Sequence, residues 1–430
     1  MQKQTKSLLL AISILIVALF PTPAHATGCT PEKQLASSNI KQLHVEVINA
    51  SSGQTLFSKN EQQPARTASV MKVLTAAVAL DVLGPDYRIT TSVMVSPTEP
   101  GKIYLVGAGD VTLSRMPGNI TSYYAKAPKL DTLTRQIASW AKASSVSISA
   151  VSVDSSLFGG DKEWHPTWSK LGLTSGYMAA VSALQIDAAR LTSTRYPNSW
   201  LAQRTATPVK QAGDLFVASL NKVGIATGFK ASIAKAPSNS VVIASVQSRP
   251  VSELIANMLR VSDNSIAEAL GRVSSVKYGL DGSMASVNTL YKKVLKARGL
   301  DVSQISIVDG SGLSKLNKVP AALINDLLVL VNQGVGDYEA LEAGLPVSGQ
   351  SGSLRSRFAT GSKVDSKGKV IAKTGYILTG YSLAGFLTAK DGTELIFTVY
   401  NLADRANANH RLAMDNLVYR FYQCGASLTS

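Results

Sequence analysis

The sequence predicts a mixed α/β (α+β) fold in which the two ends of the chain build one body around a large, mixed, β-rich insert. Three observations carry this expectation. Strand-like patterns occur near the start, at Leu43 to Ile48, and again near the end, between Val370 and Tyr400. Long apolar helical stretches follow the first pattern and precede the second. The segment between Ile89 and about Val246 has another texture, rich in Ser and Thr, with short strand-like pieces between Gly/Pro/Ser loops.

Taken in order, Lys3 and Lys6 precede an apolar run from Leu8 to Phe20, broken by Pro21 and Pro23 and followed by Ala24-His25-Ala26. The run is shorter than the ~18 apolar residues of a spanning helix. It reads as a signal peptide over residues 1–26, hence an exported chain placed in the cell wall, periplasm or exterior. Leu43 to Ile48 alternates like a half-buried strand, Ser51-Ser52-Gly53-Gln54 turns, and Thr55 to Ser58 can pair back. Ser69 to Leu83 is almost wholly apolar and stops at Gly84-Pro85, as expected of a buried helix. In the insert, Lys102 to Val106 and Ala150 to Val153 read as strands and Ser139 to Lys142 as helical. Helical patterns return over Val251 to Val273 and over Ser283 to Ala297, where Val287, Leu290, Tyr291, Val294 and Leu295 share one face. Val319 to Val331 is a further helix, with Pro320 suited to its first turn. Strands follow at Val370 to Tyr376, Tyr381 to Leu387 and Glu394 to Tyr400, then a last helix over about Ala406 to Tyr422. The expected layout after the signal peptide is a body of 27–88 and 247–430 interrupted by an insert of 89–246.

Composition excludes some functions. Apolar residues make up 45% and charged residues 17% of the 430, enough to bury a core and against general disorder. The formal charge of +15 suits an anionic neighbourhood. Export removes nucleic acid as a partner and leaves peripheral association with a membrane surface or a wall polymer. Cys29 and Cys424 lie near the two ends. Either they form a disulfide, which an oxidising exterior permits, or Cys29 carries a lipid. His44, His165 and His410 sit apart with no metal-ligand spacing, so neither a metal nor another cofactor is implied.

Three short motifs carry chemistry. Ser69-Val70-Met71-Lys72 places a hydroxyl and an amine three residues apart on one helix face, inside a stretch otherwise almost free of charge. Burial there disfavours the ammonium, and a neutral amine can accept the serine proton. The spacing recurs elsewhere, from Ser38 and Ser139 for instance, and means little alone. Ser262-Asp263-Asn264 stands at the start of an apolar helical stretch, and Lys373-Thr374-Gly375 stands in a late strand, where the glycine lets a ligand approach closely. In this order and context the three form the set of β-lactamases and penicillin-binding proteins.

The flanks narrow the choice: Asp309-Gly310-Ser311-Gly312-Leu313-Ser314, Val347-Ser348-Gly349, Gly107-Ala108-Gly109-Asp110 and Val153-Asp154-Ser155-Ser156-Leu157-Phe158. With them the chain resembles the class C low-molecular-mass penicillin-binding proteins, the serine D-alanyl-D-alanine carboxypeptidase/endopeptidases, over about Leu43 to Tyr422. The resemblance implies a penicillin-binding/β-lactamase-like transpeptidase fold, peptidoglycan stem peptides as substrates and β-lactams as acylating ligands, without a cofactor. It implies Ser69 as nucleophile, Lys72 as base, Ser262 as proton shuttle, Asn264 as peptide ligand, and Lys373 with Thr374 as carboxylate ligands. Gly375 would admit the substrate, and Tyr376 would give a backbone N–H to the oxyanion hole beside that of Ser69. Asp154 resembles an acid holding the free amine of a diamino acid in the stem peptide.

Tyr376-Ile377 departs from the small residue that usually follows the family's K-T-G, and Ala108 stands where a third glycine is common. A catalytically weak or inactive wall-binding protein of this fold is therefore an alternative. A β-lactamase is another; Glu163-Trp164-His165-Pro166-Thr167 does not match the deacylating loop of class A enzymes.

Overall fold

Two five-stranded sheets organise the chain in the computed structural model, which describes residues 28–159, 163–192, 202–225, 228 and 230–429. The signal peptide expected over 1–26 lies outside the described residues.

The alternating stretch near the start becomes β1 (Gln42–Asn49), paired through a tight turn with β2 (Thr55–Lys59). A short 3-10 turn, Ala68–Val70, leads into helix α1 (Met71–Leu83), whose residues from Met71 to Leu80 are all buried. The second sheet comes next in sequence, with β3 (Thr90–Val95) and β4 (Lys102–Val106), helix α2 (Leu130–Ala143), and β5 (Ala150–Asp154). Helix α3 (Pro208–Lys222), β6 (Ser232–Ile233) and β7 (Val241–Gln247) complete it, in the order β6-β5-β4-β3-β7. Its core joins Ile103, Leu105 and Val153 to Leu133 and Ile137 of α2 and Phe216 and Leu220 of α3. The sequence reading missed α3 and saw only the end of α2. Ser, Thr and Lys dilute both, yet Val209, Ala212, Phe216 and Leu220 share a buried stripe at helical spacing.

Helical layers follow. The stretch expected to run from Val251 to Val273 is two helices, α4 (Val251–Val261) and α5 (Asn264–Lys277). Ser262 breaks it in the left-handed region, at φ 60° and ψ 43°, and Asp263 caps α5 by accepting from Ser265 N (2.9 Å) and Ile266 N (3.0 Å). Helices α6 (Met284–Ala297) and α7 (Ala321–Asn332) pack with these; Pro320 stands just before α7 in an extended conformation. One continuous core joins α1 to α4 through α7 and to one face of the first sheet.

The chain then returns to the first sheet as β8 (Val370–Ile377), β9 (Gly380–Thr388) and β10 (Glu394–Leu402), giving the order β2-β1-β10-β9-β8. All its pairings are antiparallel, and Gln42 at one end of the chain stands opposite Leu402 near the other. Helix α8 (Ala408–Cys424), opened by a capping box of Asn407 and His410, covers the second face with Met414, Leu417, Val418 and Phe421. A disulfide joins Cys29 to Cys424, with Cα atoms 5.4 Å apart. Among the described residues no helix is long and apolar enough to cross a membrane.

Candidate active site

Ser69 sits in the 3-10 turn at the mouth of α1, against the inner edge strand β8. Two glycines make that approach sterically feasible. A Cβ on Gly375 would lie 2.9 Å from Ser69 N and 2.0 Å from Ser382 Oγ. A Cβ on Gly312, whose φ is 83°, would lie 1.9 Å from Ala68 O. Ser382 on β9 ties the turn down by donating to Thr67 O at 2.6 Å. Ala68 itself is held at φ 45°, a conformation that persists only where its surroundings enforce it.

Lys72, one helical turn on, is completely buried. Its Nζ donates to Asn264 Oδ1 (2.7 Å) and Ser311 O (2.7 Å) and stands 2.9 Å from Ser69 Oγ. Burial pushes its pKa down to about 7, against the pull of the Asp309 and Asp263 carboxylates. An ammonium has a proton for each of the three oxygens. A neutral amine donates to two and turns its lone pair to the third. Asn264 Oδ1 and Ser311 O accept only, so the lone pair faces the Ser69 hydroxyl. Asn264 is held in the matching orientation because its Nδ2 donates to Tyr177 O at 2.8 Å.

Asp309 is a residue whose role the sequence reading did not find. Buried, its carboxylate accepts from Ser311 N (2.9 Å), Ser311 Oγ (2.9 Å), Gly312 N (2.6 Å), Ser314 N (2.8 Å) and Trp168 Nε1 (2.8 Å). It winds the loop that aims Ser311 O at Lys72. The signal was an Asp leading a run of small residues with free N–H groups, the pattern of an Asx turn.

On the strand side, Lys373 is also completely buried. Its Nζ donates to Ser262 Oγ (3.0 Å) and Thr374 O (2.7 Å). Burial pushes it well below the ordinary lysine range, and the nearby Lys72 and Arg357 push the same way. Thr374 Oγ1 and Ser353 Oγ share a hydrogen bond of 2.6 Å. Tyr376 is 53% exposed and stacks on Tyr381 with ring centroids 4.7 Å apart, forming an aromatic rim after the K-T-G.

The fold thus makes two hydrogen-bonded groups, Ser69–Lys72–Asn264 and Ser262–Lys373, joined in sequence through Asp263 and edged by Thr374, Gly375 and Tyr376. Asp154 lies apart from these contacts. It ends β5 in the second sheet, buried, accepting from Ser156 N (2.9 Å) and Ala236 N (2.8 Å). Among the described residues the histidines are engaged locally: His44 with Asn60 O, His165 with Thr167, and His410 in the cap of α8. Among the described residues no group of His, Cys, Asp and Glu is placed to hold a metal ion.

Comparisons with known proteins bear on the family and the fold. The profile of the D-Ala-D-Ala carboxypeptidase 3 (S13) family matches residues 32–200 and 193–421. A carboxypeptidase of Mycobacterium tuberculosis is 32% identical over 397 residues, covering 91% of this chain and 82% of the relative. The carboxypeptidase DacB of Mycolicibacterium smegmatis is 29% identical over 415 residues, covering 94% and 86%. The crystal structure of penicillin binding protein 4 from Haemophilus influenzae superposes with a TM-score of 0.75 at 19% identity, over 91% of this chain and 99% of that one, and so shares its fold. The chain belongs to the D-Ala-D-Ala carboxypeptidase 3 (S13) family of serine peptidases, the class C low-molecular-mass penicillin-binding proteins.

Proposed function

We propose that the protein is an exported D-alanyl-D-alanine carboxypeptidase, able also to act as a DD-endopeptidase, that works on peptidoglycan stem peptides through an acyl-enzyme on Ser69. The observation that carries this is the contact of Lys72 Nζ with Ser69 Oγ at 2.9 Å, by an amine that burial brings to about 7.

Ser69 Oγ attacks the carbonyl between the two terminal D-alanines while Lys72 takes its proton. The backbone N–H groups of Ser69 and Tyr376 face the developing oxyanion. Ser262, bridged to Lys373, relays the proton taken by Lys72 to the leaving amine, the C–N bond breaks, and Lys72 is a neutral amine again. Lys373 and Thr374 hold the terminal carboxylate, whose charge favours the ammonium form of the buried lysine beside a hydroxyl. Water then attacks the ester, returns a proton through Lys72 and frees Ser69. A β-lactam acylates the same serine. The reading of residues 1–26 as a signal peptide and the excess of basic residues both support work beside anionic wall polymer.

The test is the intact mass of the purified protein after benzylpenicillin, with Ser69→Ala in parallel. The expected result is a persistent gain of one drug mass that the variant lacks. No gain with the drug intact would sink the reading in favour of a wall-binding role. No gain with the drug consumed would make the protein a β-lactamase.

A further inference from the structure

The inserted segment holds the Ser262-Asp263-Asn264 motif from two sides. Tyr124, fully buried in the connection between β4 and α2, donates its hydroxyl to Asp263 Oδ2 at 2.9 Å. Asp263 Oδ1 meanwhile caps α5 through Ser265 N and Ile266 N. Each carboxylate oxygen therefore fixes one side of the motif, the first from the insert and the second from the body. The next residue, Asn264, is held by the carbonyl of Tyr177, again from the insert.

The insert is stiffened where it makes these contacts. Tyr123 and Tyr124 pack edge to face, with centroids 4.8 Å apart. The buried guanidinium of Arg190 lies 3.7 Å from the Tyr123 ring centre and 5.1 Å from that of Tyr124. Arg190 Nη1 donates to Asp187 O at 3.0 Å, and Arg204 Nη2 to Gly176 O, just before Tyr177, at 2.9 Å. Two cations thus stand behind the tyrosine that meets the carboxylate.

The motif needs such support. Ser262 is in the left-handed region, where a residue with a side chain stays only if its neighbours hold it. On either side of it hang two short contacts, Ser262 Oγ to Lys373 Nζ at 3.0 Å and Asn264 Oδ1 to Lys72 Nζ at 2.7 Å. Both contacts depend on the orientation of the junction between α4 and α5.

We infer that Tyr124 is a positioning residue for this active site: through its hydrogen bond to Asp263, the inserted segment sets where Ser262 and Asn264 stand relative to Lys373 and Lys72. The inference rests on the function proposed above, and the test separates the two. The rate constant of benzylpenicillin acylation at saturating drug, and the concentration giving half of it, are measured for wild type, Tyr124→Phe, Asp263→Asn and the double variant, with circular dichroism as the check of folding. Tyr124→Phe keeps the buried ring and removes only the hydroxyl. It is expected to slow acylation about tenfold and to leave the half-saturating concentration within about twofold. The double variant is expected to be no slower than the slower single one, as for two groups that act as a unit. Wild-type acylation at an unchanged rate in Tyr124→Phe overturns the inference, as does a double variant whose loss is the product of the single losses. A wild type that is not acylated refutes the proposed function instead.

Discussion

The helix wall and the strand wall of the cleft each bury a lysine completely, and they surround it in opposite ways. Lys72 on α1 has acceptor oxygens from Ser69, Asn264 and Ser311 within 2.9 Å and feels the carboxylates of Asp309 and Asp263. Lys373 on β8 meets one hydroxyl and one carbonyl, and the charges it feels are cations, Lys72 and Arg357. Equal burial therefore does not mean equal roles. The carboxylates around Lys72 hold its amine near the pH at which a base is useful, neither stripped of its proton nor locked to it. The strand lysine lacks a counter-ion of its own. In the proposed function a substrate carboxylate beside Thr374 would supply one and favour its ammonium form.

Arginine substitutions break this comparison most sharply, because a guanidinium stays charged. Lys72→Met removes the base, and acylation by benzylpenicillin is expected to fall about 10⁴-fold or more. Lys72→Arg should fall as far. At the strand position the charge is what matters. Lys373→Met should slow acylation about a hundredfold, as for loss of a charged hydrogen bond, whereas Lys373→Arg should stay within about tenfold of wild type. Measured rate constants showing rescue by arginine at position 72, or none at 373, would reverse the assignment of base and anion ligand.

The pH dependence sharpens the comparison with a smaller effect. Since Lys72 must lose its proton to act, acylation of the free enzyme is expected to rise with pH through a limb near 7. The Asp309 carboxylate favours the ammonium, so Asp309→Asn should move that limb to lower pH. A limb that stays in place would remove Asp309 from the field at Lys72. The smallest effect is on stability. Lys72 titrates near 10.5 when unfolded and about 7 when folded, so between those values the unfolded chain binds more protons and stability rises with pH. Urea midpoints measured across that interval should rise less steeply in Lys72→Met.

These contrasts differ in how far the sequence displayed them. The Ser69–Lys72 pair was legible because the 3-10 turn runs straight into α1, so helical spacing still fixes the face and the apolar stretch announces burial. The three motifs were legible as residue types in order. Their contacts were not, since Lys373 reaches Ser262 only through the antiparallel sheet that brings β8 against α1. The helix start at Ser262-Asp263-Asn264 was legible from its capping residues, while the left-handed turn at Ser262 was not, because the apolar residues on both sides continue a helical pattern. Asp309 and Tyr124 act through turns and packing between distant segments, which no local period records. Asp154 was singled out by its neighbours in sequence, while its position is set by the second sheet, where it accepts backbone N–H groups.

The bond between Cys29 and Cys424 has a topological consequence. It spans a sequence separation of 395 and makes the folded chain a covalent ring. A ring cut once is still one molecule. A single peptide cleavage anywhere between the two cysteines, including in the second sheet, leaves β1 and β2 linked to β8, β9 and β10. The sheet that carries the strand lysine is built from both ends of the chain, so a linear polypeptide cut in its middle would hold that sheet together by packing alone. The ring adds a covalent connection that no single peptide cleavage can remove.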